Sequence, residues 1–438
     1  MKKRTCAAVA AVSVLLSAII TFQITSTTYR AKNKAELDSL KTEYESSFGG
    51  KMNALHDDFL SLYNGDVDEE QLDELSMKYF VFATGDRYGE YLTADEFAEL
   101  EAGLEGDFVG IGVSVIEDSD SGLLEVVDVF PDSPAASVGM QPGDLIYKVG
   151  DDYAAEIGED AVLSRVRGEE GTAVTLTVLR DGAEQTFTVA RAHVTERNVM
   201  YRMYGEQGGE ASNVGLIIIS SFDAVTESQV DEAIAALRER GAEALIFDLR
   251  GNLGGALTSI VPILDKLLPE GPILHVVPKV GDTETISSDA EELDMPMAVV
   301  VNGNTASAAE LFTSALMDYG KAVIVGTQTY GKGCMQTITQ RPDGSAIRVT
   351  TAYYDPPYSE NYDGVGITPD IVVEPDDVTS STNRYRIADR DDNQLTAAYN
   401  SLTNLSSVRH RQMHYPRREP QNINKFKFER IKRHGKDQ

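Results

Sequence analysis

The segment Val300–Glu310 reads Val-Val-Asn-Gly-Asn-Thr-Ala-Ser-Ala-Ala-Glu, and Gly331–Gln336 reads Gly-Lys-Gly-Cys-Met-Gln. The apolar run Met297–Val301 predicts a buried strand, and the residues after it show the apolar spacing of a helix. Ser307 is therefore expected at the turn where a strand passes into a helix. At such a turn the free backbone N–H groups and the positive end of the helix dipole favour negative charge.

Lys332 lies between two glycines, which let neighbouring backbone approach it closely. Gln336 follows four residues later and is expected on the same face of the segment as Lys332. A serine on an exposed turn and a lysine among small residues predict a Ser–Lys nucleophilic pair. On Ser307 and Lys332 alone, a helix-capping serine and a solvated loop lysine are open alternatives.

The whole set, Asn-x-x-x-Ala-Ser-Ala-x-Glu followed by Thr-x-Tyr-Gly-Lys-Gly-x-x-Gln, resembles the carboxyl-terminal processing proteases. This is the tail-specific protease family of PDZ-bearing Ser/Lys peptidases, family S41. The resemblance implies that Ser307 is the nucleophile, that Lys332 is its general base, and that Gln336 orients the lysine. Several neighbouring residues differ from the usual family pattern, but none of these differences removes a reacting group.

A second motif, Asp248–Gly255, follows the predicted strand Leu245–Leu249 and precedes a predicted helix. It resembles the family's Asp-Leu-Arg-x-Asn-Pro-Gly-Gly, with Leu253 in place of proline. Paired glycines let a carbonyl oxygen approach backbone N–H groups, as an oxyanion hole requires. We therefore expect the oxyanion donors to be the N–H groups of Ala308 and of Gly254 or Gly255. Without the resemblance, such a glycine pair more often only starts a helix.

Short alternating strands between residues 106 and 194, with Asp181-Gly182 as a hairpin turn, predict a small β domain. Their order resembles a PDZ domain of the bacterial, circularly permuted kind. The resemblance implies that the loop Val109-Gly110-Ile111-Gly112 receives a peptide's terminal carboxylate. The peptide would then add as a strand beside Ile111–Val115. The resemblance also gives Arg167 a role in coupling the PDZ domain to protease activity, with a surface salt bridge as the alternative.

The N-terminus has the pattern of a targeting segment. Lys2, Lys3 and Arg4 precede an uncharged apolar run, Cys6–Phe22. This run is close to the shortest that can span a bilayer, and no clear cleavage site follows it. We therefore favour a signal anchor over a cleaved signal peptide, with the rest of the chain outside the cytoplasm at the cell membrane.

The sequence predicts five regions. They are an anchor or signal peptide (1–30), a helical cap (31–105), a PDZ domain (106–194), a protease core (195–405) and a basic tail (406–438). The resemblance implies an α/β core of ClpP/crotonase-like β-α units, with an inserted β-rich PDZ domain and an N-terminal helical cap. Gly85-Asp86-Arg87-Tyr88 resembles the Gly-Asp-Pro-Tyr of that cap. The tail is expected to be disordered, with contact to anionic lipid or cell wall as the alternative.

The composition excludes some classes of partner. A formal net charge of −31 argues against nucleic acid as a ligand. Two cysteines cannot build a disulfide framework, and Cys334 beside the expected base is a weaker rival to Ser307 as nucleophile. No cofactor or metal is expected. A homo-oligomer is left open.

The resulting prediction is a serine endopeptidase that processes extracytoplasmic proteins recognised by their C-terminal tails. One alternative is a catalytically silent, membrane-tethered PDZ adaptor, although such a protein has no need of a lysine in an apolar slot. Another is a crotonase-like acyl-transfer enzyme, which would not need a PDZ domain. A Ser–His arrangement has only His275, after a buried strand, as a candidate imidazole.

Overall fold

The computed structural model describes residues 25–105, 107–118, 121–381 and 383–403. The apolar run Cys6–Phe22 and the basic tail from Arg409 lie outside these ranges. Within them, no helix has both the length and the apolarity needed to cross a bilayer. The chain divides between Met77 and Lys78 into two compact units.

The first unit is helical, as the sequence predicts. Residues 25–46 form α1, Phe48–Leu62 form α2, and Glu69–Ala83 form α3, which runs past the boundary of the unit. The hydroxyl of Ser47 caps α2 by accepting a hydrogen bond from the Gly50 N–H at 3.1 Å.

The second unit begins in α3 and continues with a short strand and a helix. Glu90–Leu92 form β1 and Ala94–Glu105 form α4. Thr93 and Glu96 form a capping box: the Thr93 N–H donates to Glu96 Oε2 at 2.9 Å, and the Glu96 N–H donates to Thr93 Oγ1 at 3.2 Å.

The β-rich region predicted from the sequence forms around its own apolar core. Its main sheet has the order β3-β4-β5-β7-β8, so β3 lies at an edge, and β2 pairs with β9 separately. Asp181 and Gly182 have φ of 53° and 77°, as a tight two-residue hairpin needs. The elements are β2 (Asp107–Gly110), β3 (Val113–Glu117), β4 (Leu124–Val129), α5 (Pro134–Val138), β5 (Leu145–Val149), β6 (Asp152–Tyr153), α6 (Ala154–Ile157), α7 (Glu159–Val166), β7 (Ala173–Arg180), β8 (Ala183–Ala190) and β9 (Ala192–Thr195).

The remaining chain is built on a six-stranded sheet of order β10-β11-β12-β15-β16-β19, parallel except at β10. Its central strands are buried on both faces, which explains their continuous apolar sequences. Helices α8, α9 and α10 pack on one face and α12 on the other. The elements are β10 (Val199–Met203), β11 (Val214–Ile219), α8 (Thr226–Glu239), β12 (Ala244–Asp248), α9 (Leu257–Leu267), β15 (Met297–Val301), α10 (Ala308–Asp318), β16 (Ala322–Gly326), β19 (Ile371–Val372), α11 (Asp377–Ser381) and α12 (Asn393–Thr403).

A second, antiparallel sheet lies beside this layer and has the order β1-β18-β13-β14, with β17 also paired to β18. Its strands after β1 are β13 (Gly271–Pro278), β14 (Glu284–Ser288), β17 (Cys334–Gln340) and β18 (Ala346–Asp355). Strand β18 pairs with both β1 and β17. Lys332 lies just before β17, so the residues just before β1 belong to the same sheet region as Lys332.

Thr226 and Gln229 have the spacing that predicts a capping box at the start of α8, but they do not form one, so that prediction is wrong. Thr226 is already inside α8, and its hydroxyl donates to the carbonyl oxygen of Ser221. The Gln229 amide instead binds the backbone between β9 and β10. Both side chains serve tertiary contacts because the segment before β10 passes alongside this helix.

Candidate active site

Ser307 lies at the end of the turn between β15 and α10, where the sequence predicts it. Its φ of 57° and ψ of −119° are unusual for a residue with a side chain. The Thr305 hydroxyl fixes the turn by donating to the Leu249 carbonyl oxygen at 2.9 Å. Ser307 itself is partly exposed, so a strained but well-supported turn presents its hydroxyl to solvent.

A buried carboxylate connects the Ser307 segment with the Lys332 segment. Oε2 of Glu310 accepts from the N–H of Ser307 at 2.9 Å and from that of Lys332 at 2.8 Å. Its Oε1 accepts from the Thr329 hydroxyl at 2.6 Å and from the Gly331 N–H at 2.7 Å. Burial raises the pKa of Glu310, and these four hydrogen bonds act against that rise. A glutamate three residues after a helix-start serine was visible in the sequence, but its bond to Lys332 was not.

Lys332 is half-buried, and burial lowers the pKa of its amine below the usual value. Its Nζ lies 5.0 Å from the centroid of the Tyr88 ring. In the described part of the chain this amine makes no ion pair. An amine without a fixed counter-charge and with a depressed pKa is suited to accept a proton.

Tyr354, on β18, lies between the two expected catalytic residues. Its hydroxyl donates to the Lys332 carbonyl oxygen at 2.6 Å and lies 3.4 Å from Ser307 Oγ. Burial raises the pKa of Tyr354, so the hydroxyl stays protonated at neutral pH. No hydrogen bond joins Ser307 Oγ directly to Lys332 Nζ among the described residues. Sequence reasoning missed Tyr354 because only the sheet brings it to the site.

Gln336 binds Cys334 in this structure, and no hydrogen bond joins it to Lys332 among the described residues. Its Nε2 donates to the sulfur of Cys334 at 3.2 Å. A register shift between Met335 and Gln336 interrupts β17, and Lys332 precedes that strand. The contact expected between Gln336 and Lys332 is therefore not formed in this arrangement of the site.

Cys334 is buried, and burial raises the pKa of its thiol to about 11. Since the thiolate is the reactive form, this raised pKa argues against Cys334 as the nucleophile. Among the described residues, no cluster of three or more His, Cys, Asp or Glu side chains could hold a metal ion.

The Gly254–Gly255 turn packs directly on the Ser307 turn. A Cβ added to Gly254, whose φ is +105°, would lie 2.8 Å from Ser307 Cβ and 2.9 Å from the Ala308 nitrogen. The Gly254 N–H donates to Asn252 Oδ1 at 2.8 Å and is therefore occupied. The N–H groups of Ala308 and Gly255 have no acceptor among the described residues. Of the expected oxyanion donors, these two are the ones available.

Beneath this turn, Arg250 forms a buried ion pair with Asp248 at 2.6 Å and with Asp392 at 2.8 Å. Burial alone would raise the pKa of Asp248, but the adjacent guanidinium outweighs it and lowers that pKa. The Asp-Leu-Arg part of the motif therefore anchors the glycine turn to α12.

The PDZ-like loop Val109–Gly112 ends β2. Ile111 is almost fully buried, and its carbonyl oxygen accepts from the Ala135 N–H at 2.8 Å. Gly112 has φ of +77°, and a Cβ there would lie 2.3 Å from Ser133 Cβ, so only glycine fits. Edge strand β3 and helix α7 line a cleft of about 1190 Å³ that continues to core residues such as Asn302.

Arg167 follows α7 directly and lines the same cleft. Its guanidinium lies 5.9 Å from the Phe108 ring centroid. Its charge also counters the rise in pKa that burial and Asp223 cause at Glu196, which precedes β10. Arg167 therefore lies where the β-rich domain meets the α/β core.

Comparisons with known proteins agree with this architecture. The model of "Peptidase family S41" matches residues 213–373, and that of "PDZ domain" matches residues 109–190. The chain is 32% identical over 395 residues to a "Probable CtpA-like serine protease" of Staphylococcus aureus strain COL, covering 88% of this chain and 77% of that protein. A protein of the same description from Staphylococcus epidermidis is 31% identical over 364 residues, covering 82% and 71%.

The chain spans about two thirds to three quarters of the length of these curated relatives. Among solved structures, an S41 protease from Bacteroides fragilis matches with a TM-score of 0.53 at 17% identity. The match covers 78% of this chain and 92% of that one, and it shows a shared fold.

Proposed function

Because this chain belongs to peptidase family S41 and is a serine protease with a PDZ domain, we propose that it cleaves peptide bonds with a Ser307–Lys332 dyad. The observation that carries the proposal is the buried Glu310 carboxylate, which binds the backbone N–H groups of both Ser307 and Lys332. One rigid acceptor thereby fixes the nucleophile segment relative to the base segment. The lowered pKa of Lys332 supports its role as the base.

The reaction begins when the neutral amine of Lys332 takes the proton of Ser307 Oγ. The oxygen then bonds to the substrate carbonyl carbon, and the resulting oxyanion accepts hydrogen bonds from the N–H groups of Ala308 and Gly255. Each such donor is worth about 3 kcal/mol of transition-state stabilisation. The C–N bond breaks as the Lys332 ammonium returns the proton to the leaving amine. In the second half, neutral Lys332 takes a proton from water as the water oxygen bonds to the acyl carbon. The ester C–O bond then breaks as the Lys332 ammonium returns the proton to Ser307 Oγ.

The orientation of Gln336 suggests that two arrangements of the site exist. In the arrangement described here, the Gln336 amide binds Cys334 and the Lys332 amine lies beside the Tyr88 ring. The Ser307 hydroxyl lies near the Tyr354 hydroxyl and makes no hydrogen bond to the Lys332 amine among the described residues. In the catalytic arrangement, Gln336 releases Cys334 and donates or accepts at Lys332 Nζ.

Substrate selection is assigned to the cleft beside β3 and α7. An extended C-terminal tail would pair with edge strand β3, with its carboxylate at the Val109–Gly112 loop. Arg167 borders that cleft and the core, so we assign it the transmission of tail binding to the protease. The apolar run Cys6–Phe22 is assigned as the membrane anchor, with extracytoplasmic proteins as substrates.

The test uses the full chain in detergent and an unfolded protein that ends in apolar residues. Ser307→Ala and Lys332→Ala should each lower kcat about a thousandfold or more, as losses of a nucleophile or its base do. Lys321→Ala, which removes a lysine paired with Glu292 outside the site, is the matched control. Cleavage by Lys332→Ala at the wild-type rate would reject the dyad. Tail binding without cleavage by the wild type would favour an adaptor.

A further inference from the structure

The loop of residues 85–89 joins α3 to β1 and covers the amine of Lys332. The Tyr88 ring centroid lies 5.0 Å from Lys332 Nζ, within the range of a cation–π contact. This is the loop whose Gly-Asp-Arg-Tyr sequence stands out in the N-terminal region. The catalytic scheme above gives it no task.

Asp86 fastens the loop to β18. Its carboxylate accepts from the Thr350 N–H at 2.7 Å and from the Thr350 hydroxyl at 2.8 Å. The same carboxylate accepts from the N–H of Tyr88 at 3.1 Å, which sets the backbone that carries the ring. The pairing of β1 with β18 continues the attachment beyond the loop.

Arg87 fastens the loop to the Lys332 segment. Its guanidinium donates to the Tyr330 hydroxyl at 3.1 Å and lies 5.3 Å from the centroid of that ring. Tyr330 precedes Lys332 by two residues, and its N–H donates to the Thr305 carbonyl oxygen at 3.0 Å. The position of Tyr88 is therefore held from both sides of the site.

The hydroxyl of Tyr88 is buried without a hydrogen-bond partner among the described residues. The hydroxyl therefore makes no contact that Tyr88→Phe would remove, and the ring is the part of Tyr88 that meets the amine. Burial raises the pKa of Tyr88 to about 12, which keeps the ring uncharged. The ring thus covers the amine without offering it a negative charge.

We propose that Tyr88 is a positioning residue for catalysis, whose ring shields the Lys332 amine from water and holds it at the site in its neutral form. This inference rests on the proposed role of Lys332 as the base. A shielded amine gives up its proton more readily because water no longer solvates the ammonium. The ring face also attracts the ammonium that forms during the reaction, but burial is the largest influence on the pKa of Lys332 and lowers it.

Other groups near Lys332 also influence the pKa of its amine or the position of its backbone. Cys334 and Glu310 favour its charged form, and Arg348 favours the neutral form. Tyr354 binds the Lys332 carbonyl oxygen, and Asp363 accepts from the Gly333 N–H. Replacing Tyr88 changes none of these groups, so a change in pH dependence reports on the ring itself.

The experiment measures kcat/KM against pH for the full chain and for Tyr88→Phe, Tyr88→Leu and Tyr88→Ala. Tyr88→Ala should move the acid limb of the profile upward by about one pH unit, with about a tenfold loss at neutral pH that is recovered in alkaline buffer. Tyr88→Phe keeps the ring and should leave the limb in place. Tyr88→Leu tests whether an apolar cover without a ring face suffices, and its limb should lie between the other two.

Tyr201→Ala is the matched control, because Tyr201 is another half-buried tyrosine, on β10 outside the site. It should leave the acid limb unchanged. Thermal melts establish that each variant is folded. An acid limb that stays at the wild-type pH in folded Tyr88→Ala would overturn the inference, while an inactive Lys332→Ala would still uphold the dyad. An active Lys332→Ala would reject the dyad and this inference together.

Discussion

Two buried glutamates, Glu310 and Glu125, connect segments of this protein through different kinds of partner. Glu310, in the proposed catalytic centre, accepts four hydrogen bonds, three from backbone N–H groups and one from Thr329. Glu125, on strand β4 of the PDZ domain, pairs with the side chains of Arg386 and Asn383 from the core. Backbone donors cannot swing away, whereas the Arg386 side chain is half exposed and can. The catalytic centre is therefore built to be rigid, and the domain contact to be adjustable.

The contact between the domains repeats this design in a second ion pair. Asp128 of β4 lies 3.4 Å from Arg197, which precedes β10. Burial raises the pKa of Asp128, and Arg197 only partly offsets that rise. Long, flexible arginines thus supply the core side of both contacts. Such pairs tolerate small domain shifts that a network of backbone hydrogen bonds does not.

Glu310→Gln should disturb the network of backbone hydrogen bonds more than any other single change discussed below. An amide places an NH₂ group among donors and leaves at least one buried N–H unpaired, so unfolding free energy should fall by about 2–4 kcal/mol. Activity should fall about a thousandfold, because the Ser307 and Lys332 segments are no longer held together. Urea titration and kcat measure the two effects. Glu227→Gln, at an exposed partner of Lys266, is the control and should change neither.

Glu310→Gln at wild-type activity would mean that the carboxylate does not position the dyad. A loss of stability with kcat intact would give Glu310 a structural role alone.

The next largest fall in kcat is expected for Gly254→Ala. This variant tests how closely the proposed oxyanion turn packs on the proposed nucleophile, Ser307. The new Cβ would lie 2.8 Å from Ser307 Cβ at a φ of +105°, so the turn must move. We expect kcat to fall about a hundredfold as oxyanion donors are displaced. Gly241→Ala carries a similar φ of +88° with nothing within 4 Å, so it isolates the backbone cost. Equal kcat values for the two variants would contradict the proposed packing role.

The parallel sheet, the turn bearing Ser307 and the β-rich domain were predictable, because local apolar periodicity and turn residues encode them. Glu310 was visible only as the acidic partner of a helix start, since its bonds to Gly331 and Lys332 depend on how β16 leads into β17. Tyr354 reaches the site through β18, and nothing local marks it. Tyr88 lies in a motif that the sequence analysis singles out, but its place beside Lys332 depends on the pairing of β1 with β18. The register shift in β17 and the bond of Gln336 to Cys334 have no sequence signal either. Long-range pairing decided each of these.

On the adjustable side of the comparison, Arg386→Ala should have a moderate effect. It leaves the buried Glu125 carboxylate with Asn383 alone, and unfolding free energy should fall by about 1–3 kcal/mol. Activity on a short peptide should stay within about threefold of wild type, because the dyad is untouched. Adding Glu125→Gln to Arg386→Ala should restore part of the stability. Arg390→Ala, at an exposed pair with Asp391, is the control. A double variant no more stable than Arg386→Ala would show that an unpaired charge is not what costs stability.

Arg167→Ala is expected to have the smallest effect on activity. It separates the proposed coupling of tail binding to cleavage from the stability of the fold. Arg167 is exposed, so the free energy of unfolding should change by no more than about 0.5 kcal/mol. If Arg167 transmits tail binding to the core, cleavage of a protein with an apolar C-terminal tail should fall about threefold to tenfold, a loss of coupling energy of the usual size. Cleavage of the same protein with an amidated terminus should be unchanged, because the PDZ loop then has no carboxylate to bind.

Arg165→Ala, two residues earlier in α7 and paired with Asp152, is the matched control. Equal losses on both substrates would place Arg167 outside the coupling and leave the domain contact to the ion pairs of Glu125 and Asp128.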